Sequence, residues 1–412
     1  MKLALITFGS AGDVHPLLAL GQALQRRGHE VVLLSLPVFE AQAVAAGLRF
    51  VPVGRTEDYE QTLAHPKLWH AVDGLGVMWR YLLRPVMQPA YEALTRLVHE
   101  GVDALVAPPF VLAARVVSER WGTPLLSVYT AATMLRSTRW PVTVAAWRVP
   151  AGVPSWVVAG LWRVLDRVKL EPLVRQDVAL LRGLAGLPPL QVPVFGEWMH
   201  SPDAGLALFP DWFARAGDWP ARVRHAGFML YENDVAEGLP AHVDAFLQQG
   251  HAPLVFMPGT AQHFAAGFYE AAMAACKALG RRGILLGPTA PTIDDGQLCS
   301  APYAPFSLLL GRALAVVHHG GVGTCAQALR AGVPQVVVPS AYDQFDNAMR
   351  LEHLGVGLSL PMARVNAQTL SAVLGRLLAQ PAWGQRARAV ALQMDVAGFH
   401  EQACLAVEAL SA

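Results

Sequence analysis

The stretch Val316-Val317-His318-His319-Gly320-Gly321-Val322-Gly323-Thr324-Cys325-Ala326-Gln327-Ala328-Leu329 reads as a buried strand, a tight glycine turn and the opening of a helix. The first amides of such a helix have no partners within it, and its dipole is positive at that end. The turn is therefore a ready-made anion site. Ala331-Gly332-Val333-Pro334 stops the helix, residues 335–338 form a second apolar strand, and its exit loop carries Asp343-Gln344-Phe345-Asp346-Asn347 on the same edge. An anion and a polyol fit side by side there, and a diphosphate-linked sugar has both parts.

Outward from this stretch the chain alternates strand and helix. Strands are expected at 2–8, 30–35, 50–53, 104–107, 125–128, 205–209 and 224–228, with helices at 14–27, 77–99 and 112–121. A second series opens with strand 254–257, helix 266–279 and strand 283–286. Residues 231–250 are polar and punctuated by Gly and Pro, as in a linker with one short helix. The pattern predicts two doubly wound parallel α/β sheets, in domains 1–225 and 251–395 joined by a linker at 226–250. A last helix over 396–412 is expected to pack back toward the first domain.

The composition narrows the class. Of 412 residues, 53% are hydrophobic and 15% charged, and the mean hydropathy is +0.34, high for a protein with no expected membrane span. The net charge is +1 with no Lys/Arg stripe, which argues against a nucleic-acid partner. Cys276, Cys299, Cys325 and Cys404 lie far apart without metal-ligand spacing and read as reduced thiols of a cytoplasmic protein. The opening Met1-Lys2-Leu3-Ala4-Leu5-Ile6 runs straight into Gly9-Ser10-Ala11-Gly12-Asp13, a first strand rather than a signal peptide. Asp294-Asp295, between Pro291 and Gly296, suits a solvated turn better than a metal pair.

Residues 136–196 break the rhythm. Trp140, Trp147, Trp156 and Trp162 stand among Arg136, Arg139, Arg148, Arg163, Arg167, Lys169 and Arg175. A helix over 155–170 would set Trp156, Ala159 and Arg163 on one face, with Trp162 and Leu165 beside them. One reading is a helical cap with core tryptophans and solvated arginines. The other is a greasy acceptor channel lined by Trp140, Trp156 and Trp162, on a surface suited to peripheral membrane contact.

Gly9 and Gly12 are spaced G-x-x-G rather than G-x-G-x-x-G, which weighs against a nicotinamide site. In the later turn Gly320, Gly321, Val322, Gly323 and Thr324 offer amides and a hydroxyl, and His318 could donate to a phosphate oxygen. The same glycines would also serve simple strand-to-helix packing. By themselves Asp13 reads as a helix N-cap and Asp343 as a loop cap.

His318-His319-Gly320-Gly321 through Asp343-Gln344-Phe345-Asp346-Asn347-Ala348 resembles the nucleotide-diphosphosugar signature of the family 1 glycosyltransferases. Gly12-Asp13-Val14-His15-Pro16-Leu17 is similar to the first turn of the bacterial and sterol-glycosylating members, and looser similarity covers the whole chain. Phe8-Gly9-Ser10-Ala11-Gly12-Asp13-Val14, His65-Pro66-Lys67-Leu68-Trp69, Trp198-Met199-His200-Ser201-Pro202 and Tyr342-Asp343-Gln344-Phe345-Asp346-Asn347 look closer still to the rhamnosyltransferase B subunits of rhamnolipid synthesis.

The resemblance implies a GT-B fold, two Rossmann-like doubly wound parallel-sheet domains facing a central cleft. It implies an inverting hexosyltransferase without metal or cofactor, whose co-substrate is a nucleotide sugar such as dTDP-L-rhamnose. The acceptor would be an amphiphile such as a 3-(3-hydroxyalkanoyloxy)alkanoate, supplied by a partner enzyme at the inner membrane. Asp13 takes the position of the general base, with His15 as the alternative. Tyr303, with Phe306 beside it, stands where relatives stack an aromatic on the nucleobase. Thr260 adds a diphosphate contact, and Asp343 with Gln344 binds sugar hydroxyls. Plant relatives carry Gln where this chain has Phe306, and a ribose-binding Glu where it has Ala326; thymidine diphosphate, which lacks a ribose 2′-hydroxyl, fits that loss. The alternatives are a family 1 enzyme acting with a UDP- or dTDP-sugar on a polyketide, terpenoid or sterol, a two-domain epimerase, and a catalytically silent activator subunit.

Overall fold

The computed structural model describes all residues except 71, 141–148, 151, 233–234, 236–237, 260–264 and 412, together with the side chains of 265, 266 and 411. The chain forms two compact units. The first holds the chain up to Tyr231 and regains it at Val396–Ala412; the second is built on Glu232–Asp395.

The first unit contains seven parallel strands: β1 (Lys2–Ile6), β2 (Glu30–Ser35), β3 (Arg49–Pro52), β4 (Ala104–Ala107), β5 (Leu125–Tyr129), β6 (Ala204–Ala207) and β7 (Val223–His225), in the order β3-β2-β1-β4-β5-β6-β7. Leu3, Ala4, Leu5 and Ile6 of β1 are wholly buried, because helices cover both faces and a strand wet on neither side reads as an unbroken apolar run. The strand order reverses between β1 and β4, so the loop leaving β1 at Thr7 opens at the switch point where such sheets bind ligands. The helix Val396–Glu408 sets Ala403, Cys404, Ala406 and Val407 into this unit's core. Its Glu408 accepts hydrogen bonds from the Arg27 guanidinium at 2.7 and 2.8 Å and lies 2.9 Å from His29 Nε2.

The second unit contains β8 (Leu254–Met257), β9 (Gly283–Leu286), β10 (Leu298–Ala301), β11 (Ala315–His318), β12 (Gln335–Val337) and β13 (Gly357–Ser359), also parallel, in the order β10-β9-β8-β11-β12-β13. Its order reverses between β8 and β11. The glycine turn that leaves β11 thus flanks the switch point of its sheet, as the loop that leaves β1 flanks that of the first.

The strand periodicity places most elements within a residue or two, with β6 and β7 starting and ending earlier than expected. β10 and β13 escape it, being short and half polar, as in Leu298-Cys299-Ser300-Ala301. The helix expected over 155–170 is α-helical at Ser155–Leu165 and widens to a π turn at Asp166–Leu170. All four cysteines are buried and unpaired. Asp295 Oδ1 accepts from the amides of Gln297 and Leu298, so this acid closes a turn. Among the described residues no helix is long and apolar enough to cross a membrane.

Candidate active site

In the first unit, Ser10 precedes the helix Ala11–Arg26, whose first turn carries Asp13. Asp13 Oδ2 accepts from the Ser10 amide at 2.9 Å and the Ser10 hydroxyl at 3.2 Å. Burial pushes the carboxyl up to about 6, against the downward pull of the two Ser10 hydrogen bonds. Burial, and after it the charge of Asp13, drives the Tyr59 phenol up to about 12, so the two groups share one low-dielectric pocket. A carboxylate titrating there is basic enough to take a hydroxyl proton near neutrality.

His15 points elsewhere. Its Nε2 lies 3.1 Å from Gln42 Oε1, and its ring meets that of Tyr231 at 5.2 Å, while the Tyr231 hydroxyl donates to the Gln42 carbonyl at 3.3 Å. Two positions on a helix differ by about 200°, so side chains at 13 and 15 cannot address one ligand together. Burial holds the His15 pKa down. His15 braces the helix that carries Asp13.

In the second unit, the direct phosphate contact expected of His318 is corrected. His318 is fully buried; its Nε2 meets Gln335 Oε1 at 2.8 Å, and its Nδ1 lies 3.1 Å from the Gly320 amide, which donates to it. Both ring nitrogens are spent on the protein, and burial drives the ring down to about 3, hence neutral. His318 shapes the turn from beneath.

His319 is the histidine that sequence reasoning overlooked, although the doubled His was its signal. It is half-buried and held at about 4 by burial, and its enclosed Nδ1 has no protein partner. A Cβ on Gly259 would stand 2.9 Å from Nδ1, and one on Gly321 would stand 2.5 Å from Nε2. Those two glycines leave the room that the ring occupies. Gly321 caps the helix Val322–Ala331, whose first ladder bond runs from the Cys325 amide to the Gly321 carbonyl at 3.0 Å. The amides of Val322, Gly323 and Thr324 therefore precede the ladder, at a point where Gly323 is exposed and Thr324 half-exposed. An anion placed there meets three N–H groups, a hydroxyl and the positive end of a helix.

Asp343 precedes the helix Gln344–His353. Gln344 is almost fully buried, and its Oε1 accepts from Ser340 N at 2.8 Å, Ser340 Oγ at 3.0 Å and Ala341 N at 3.2 Å, so its carbonyl end holds the loop. Asn347, also overlooked, links the two parts: its Nδ2 donates to the Gly320 carbonyl at 2.9 Å and to Asp343 Oδ2 at 2.8 Å. Beneath them Arg350 Nε donates to Asp346 Oδ2 at 2.6 Å in a buried pair.

Tyr303 is 41% exposed, on the loop between β10 and the short helix Phe306–Leu309, with its ring 6.3 Å from that of Phe306. The two rings are tilted by 41°, and the exposed Tyr303 offers an open aromatic face. Thr260 lies outside the described residues. Trp140 and Trp162 converge on Ser137, whose Oγ accepts from the Trp140 amide at 2.8 Å and whose carbonyl accepts from Trp162 Nε1 at 3.3 Å. The Arg136 guanidinium lies 4.8 Å above the Trp162 ring. Trp156, 73% exposed, lies about 120° round that helix from Trp162 and points to solvent, so the three tryptophans do not line one channel. Trp147 and Arg148 lie outside the described residues. Among the described residues no three His, Cys, Asp or Glu side chains gather to hold a metal ion.

The chain is similar to known glycosyltransferases over its whole length. Residues 3–138 match the N-terminal domain of glycosyltransferase family 28, and residues 295–399 match the erythromycin biosynthesis protein CIII-like C-terminal domain. The chain is 31% identical over 427 aligned residues to the O-mycaminosyltylonolide 6-deoxyallosyltransferase of Streptomyces fradiae, covering 99% of this chain and 97% of that one. It is 28% identical to the vancomycin aglycone glucosyltransferase of Amycolatopsis orientalis, covering 100% and 98%. Among solved structures, the kitacinnamycin glycotransferase superposes with a TM-score of 0.75 at 21% identity, covering 99% and 98%. The spinosyn rhamnosyltransferase complexed with thymidine diphosphate gives 0.68 at 19%, covering both chains fully at 100%.

Proposed function

The chain belongs to the family 1-like glycosyltransferases of the GT-B type, and on that premise we propose that it moves a 6-deoxyhexosyl group from a thymidine-diphosphate sugar to an acceptor hydroxyl, with Asp13 as general base. It is a hexosyltransferase whose co-substrate is a nucleotide sugar and whose acceptor is a small molecule.

Two observations, one within each unit, support the proposal: a carboxyl raised to about 6 in the first, and in the second a helix N-terminus whose first amides precede the ladder. In the family the chain belongs to, the reaction is a single displacement at the anomeric carbon, which inverts it. Asp13 takes the acceptor proton as the new C–O bond forms. The departing diphosphate gains charge, which the amides of Val322, Gly323 and Thr324, the helix dipole and neutral His319 stabilise as hydrogen-bond donors. Gln344 and Asp343 orient the sugar, and Tyr303 with Phe306 receives the thymine. No step calls for a metal ion.

The 6-deoxyhexose is supported by the named activity of the Streptomyces fradiae relative, and thymidine diphosphate by buried Ala326, at the position where, by the family resemblance, plant relatives carry a ribose-binding Glu. L-rhamnose is the narrower choice. A polyketide, terpenoid or sterol acceptor has more support than a hydroxyfatty-acid dimer, because the relatives and neighbours above are named for natural products other than rhamnolipids.

The test is a mass-spectrometric assay pairing dTDP-rhamnose, dTDP-glucose and UDP-glucose with polyketide aglycones, sterols and a 3-(3-hydroxyalkanoyloxy)alkanoate. Product is expected from a dTDP-sugar and an aglycone. The proposal fails if no nucleotide sugar binds and Asp13→Asn keeps full turnover. Nucleotide binding without product would instead favour the silent activator subunit.

A further inference from the structure

The helix Ser155–Leu165 and the π turn after it, Asp166–Leu170, carry apolar side chains on two neighbouring sides. One side packs inward: Val158 is 4% exposed, and Trp162 is tucked beneath Arg136. The other side is bare. Leu161 is 55% exposed, Val164 62% and Val168 73%, at the i, i+3, i+7 spacing of a single helical face, and Trp156, 73% exposed, lies at the helix start on the flank that also carries Arg163. Four large apolar side chains left this open on one helix call for a partner.

The charges around the stripe identify it. Arg163 and Arg167 are exposed along one margin and Lys169 is exposed along the other. Asp166 is the only acid within 155–170, and the Arg136 guanidinium holds both of its oxygens at 2.6 Å. Within residues 155–170 the strip is thus flanked by cations with no free carboxylate to offset them. A symmetric dimer would set these cations against one another. The strip also offers on the order of 500 Å², short of the roughly 800 Å² per partner that a stable protein interface buries. A bilayer surface asks for less: an apolar strip at headgroup depth, an aromatic at the boundary and cations beside anionic lipid.

We propose that the face formed by Leu161, Val164 and Val168, with Trp156, Arg163 and Arg167 on one flank and Lys169 on the other, rests on an anionic membrane surface. The contact is interfacial, since no described helix is long and apolar enough to span a bilayer. It does not depend on which acceptor the enzyme uses.

The experiment is co-sedimentation of the full chain with vesicles of phosphatidylcholine alone and of phosphatidylcholine with one third phosphatidylglycerol, in dilute and in molar salt. The anionic vesicles should bind the protein in dilute salt, and molar salt should weaken binding about tenfold. The triple variant Leu161→Ser, Val164→Ser, Val168→Ser should lower it about tenfold or more at an unchanged melting temperature, because these side chains are already in water. A charge variant, Arg163→Gln with Arg167→Gln, should lose the preference for anionic over neutral vesicles. The proposal is overturned by absence of binding, by binding that the serine variant keeps, or by equal binding to neutral vesicles. It is equally overturned if analytical ultracentrifugation finds a dimer that the serine variant dissociates, which would give the face to a second copy.

Discussion

A Cβ added to Gly9 would stand 2.3 Å from Oδ2 of Asp13, and Gly9 holds its backbone at φ +133°. The glycine is required twice, once for a conformation that other residues rarely adopt and once because the carboxylate occupies the side-chain position. Gly9→Ala should displace Asp13 and cut kcat about a hundredfold. The stability cost should be only about 1–2 kcal/mol, so thermal melts beside steady-state kinetics separate a misplaced base from a misfolded chain.

Burial raises Asp13 above its ordinary value, so the folded state holds this proton more tightly than the unfolded chain does. Its contribution to stability is greatest below about 4, declines as pH climbs toward 6, and is flat above that. Asp13→Asn should therefore be more stable than the parent at pH 7, by on the order of 2 kcal/mol, and should lose this pH dependence. Activity runs the other way: kcat/KM should fall about tenfold per unit below pH 6 and vanish in the Asn variant. Denaturant titrations and rate profiles across pH 4 to 8 test both halves.

Asn347 ties the anion cradle to the sugar-binding loop through a single amide nitrogen. Asn347→Ala releases the Gly320 carbonyl and one bond to Asp343, and should weaken thymidine diphosphate binding about tenfold. The acceptor KM should not move. A destabilised control, Leu374→Ala in the second unit's core, should melt lower yet bind the nucleotide as the parent does; calorimetry distinguishes the two.

His318 and His319 are both held neutral, at about 3 and about 4. The KM for a nucleotide sugar, whose phosphates carry no ionisation near neutrality, should be flat from pH 5 to 8. A rise in affinity on acidification would mean that one of the rings charges when the ligand binds.

Tyr303→Ala should raise the donor KM about tenfold and leave kcat little changed, since stacking holds the base equally in the ground and transition states. Tyr303→Phe should restore it. Donor saturation curves for both variants decide the matter.

Much of this was legible before any fold was seen, because the signals are local. The alternation of apolar runs and helical periods specifies parallel α/β sheets, and Gly320-Gly321-Val322-Gly323-Thr324 after an apolar strand specifies a helix N-terminus bare of partners. The resemblance placed Asp13 and the Asp343-Gln344 pair. Sequence spacing does not contain the direction in which a ring points. His318 and His319 are adjacent and alike in the chain, yet Gln335 and the Gly320 amide capture the first beneath the turn, while Gly259 and Gly321 make room for the second.

The sequence by itself thus determined the strand and helix order, the two glycine turns and the residue types at each switch point, all of which depend on neighbours within a few positions. The tertiary structure decided that Asp13 titrates near 6 rather than near 4, that Asn347 bridges Gly320 and Asp343, and that Trp156 faces outward while Trp162 lies under Arg136. Burial, bridging and side-chain direction are set by groups distant along the chain, and only folding brings them together.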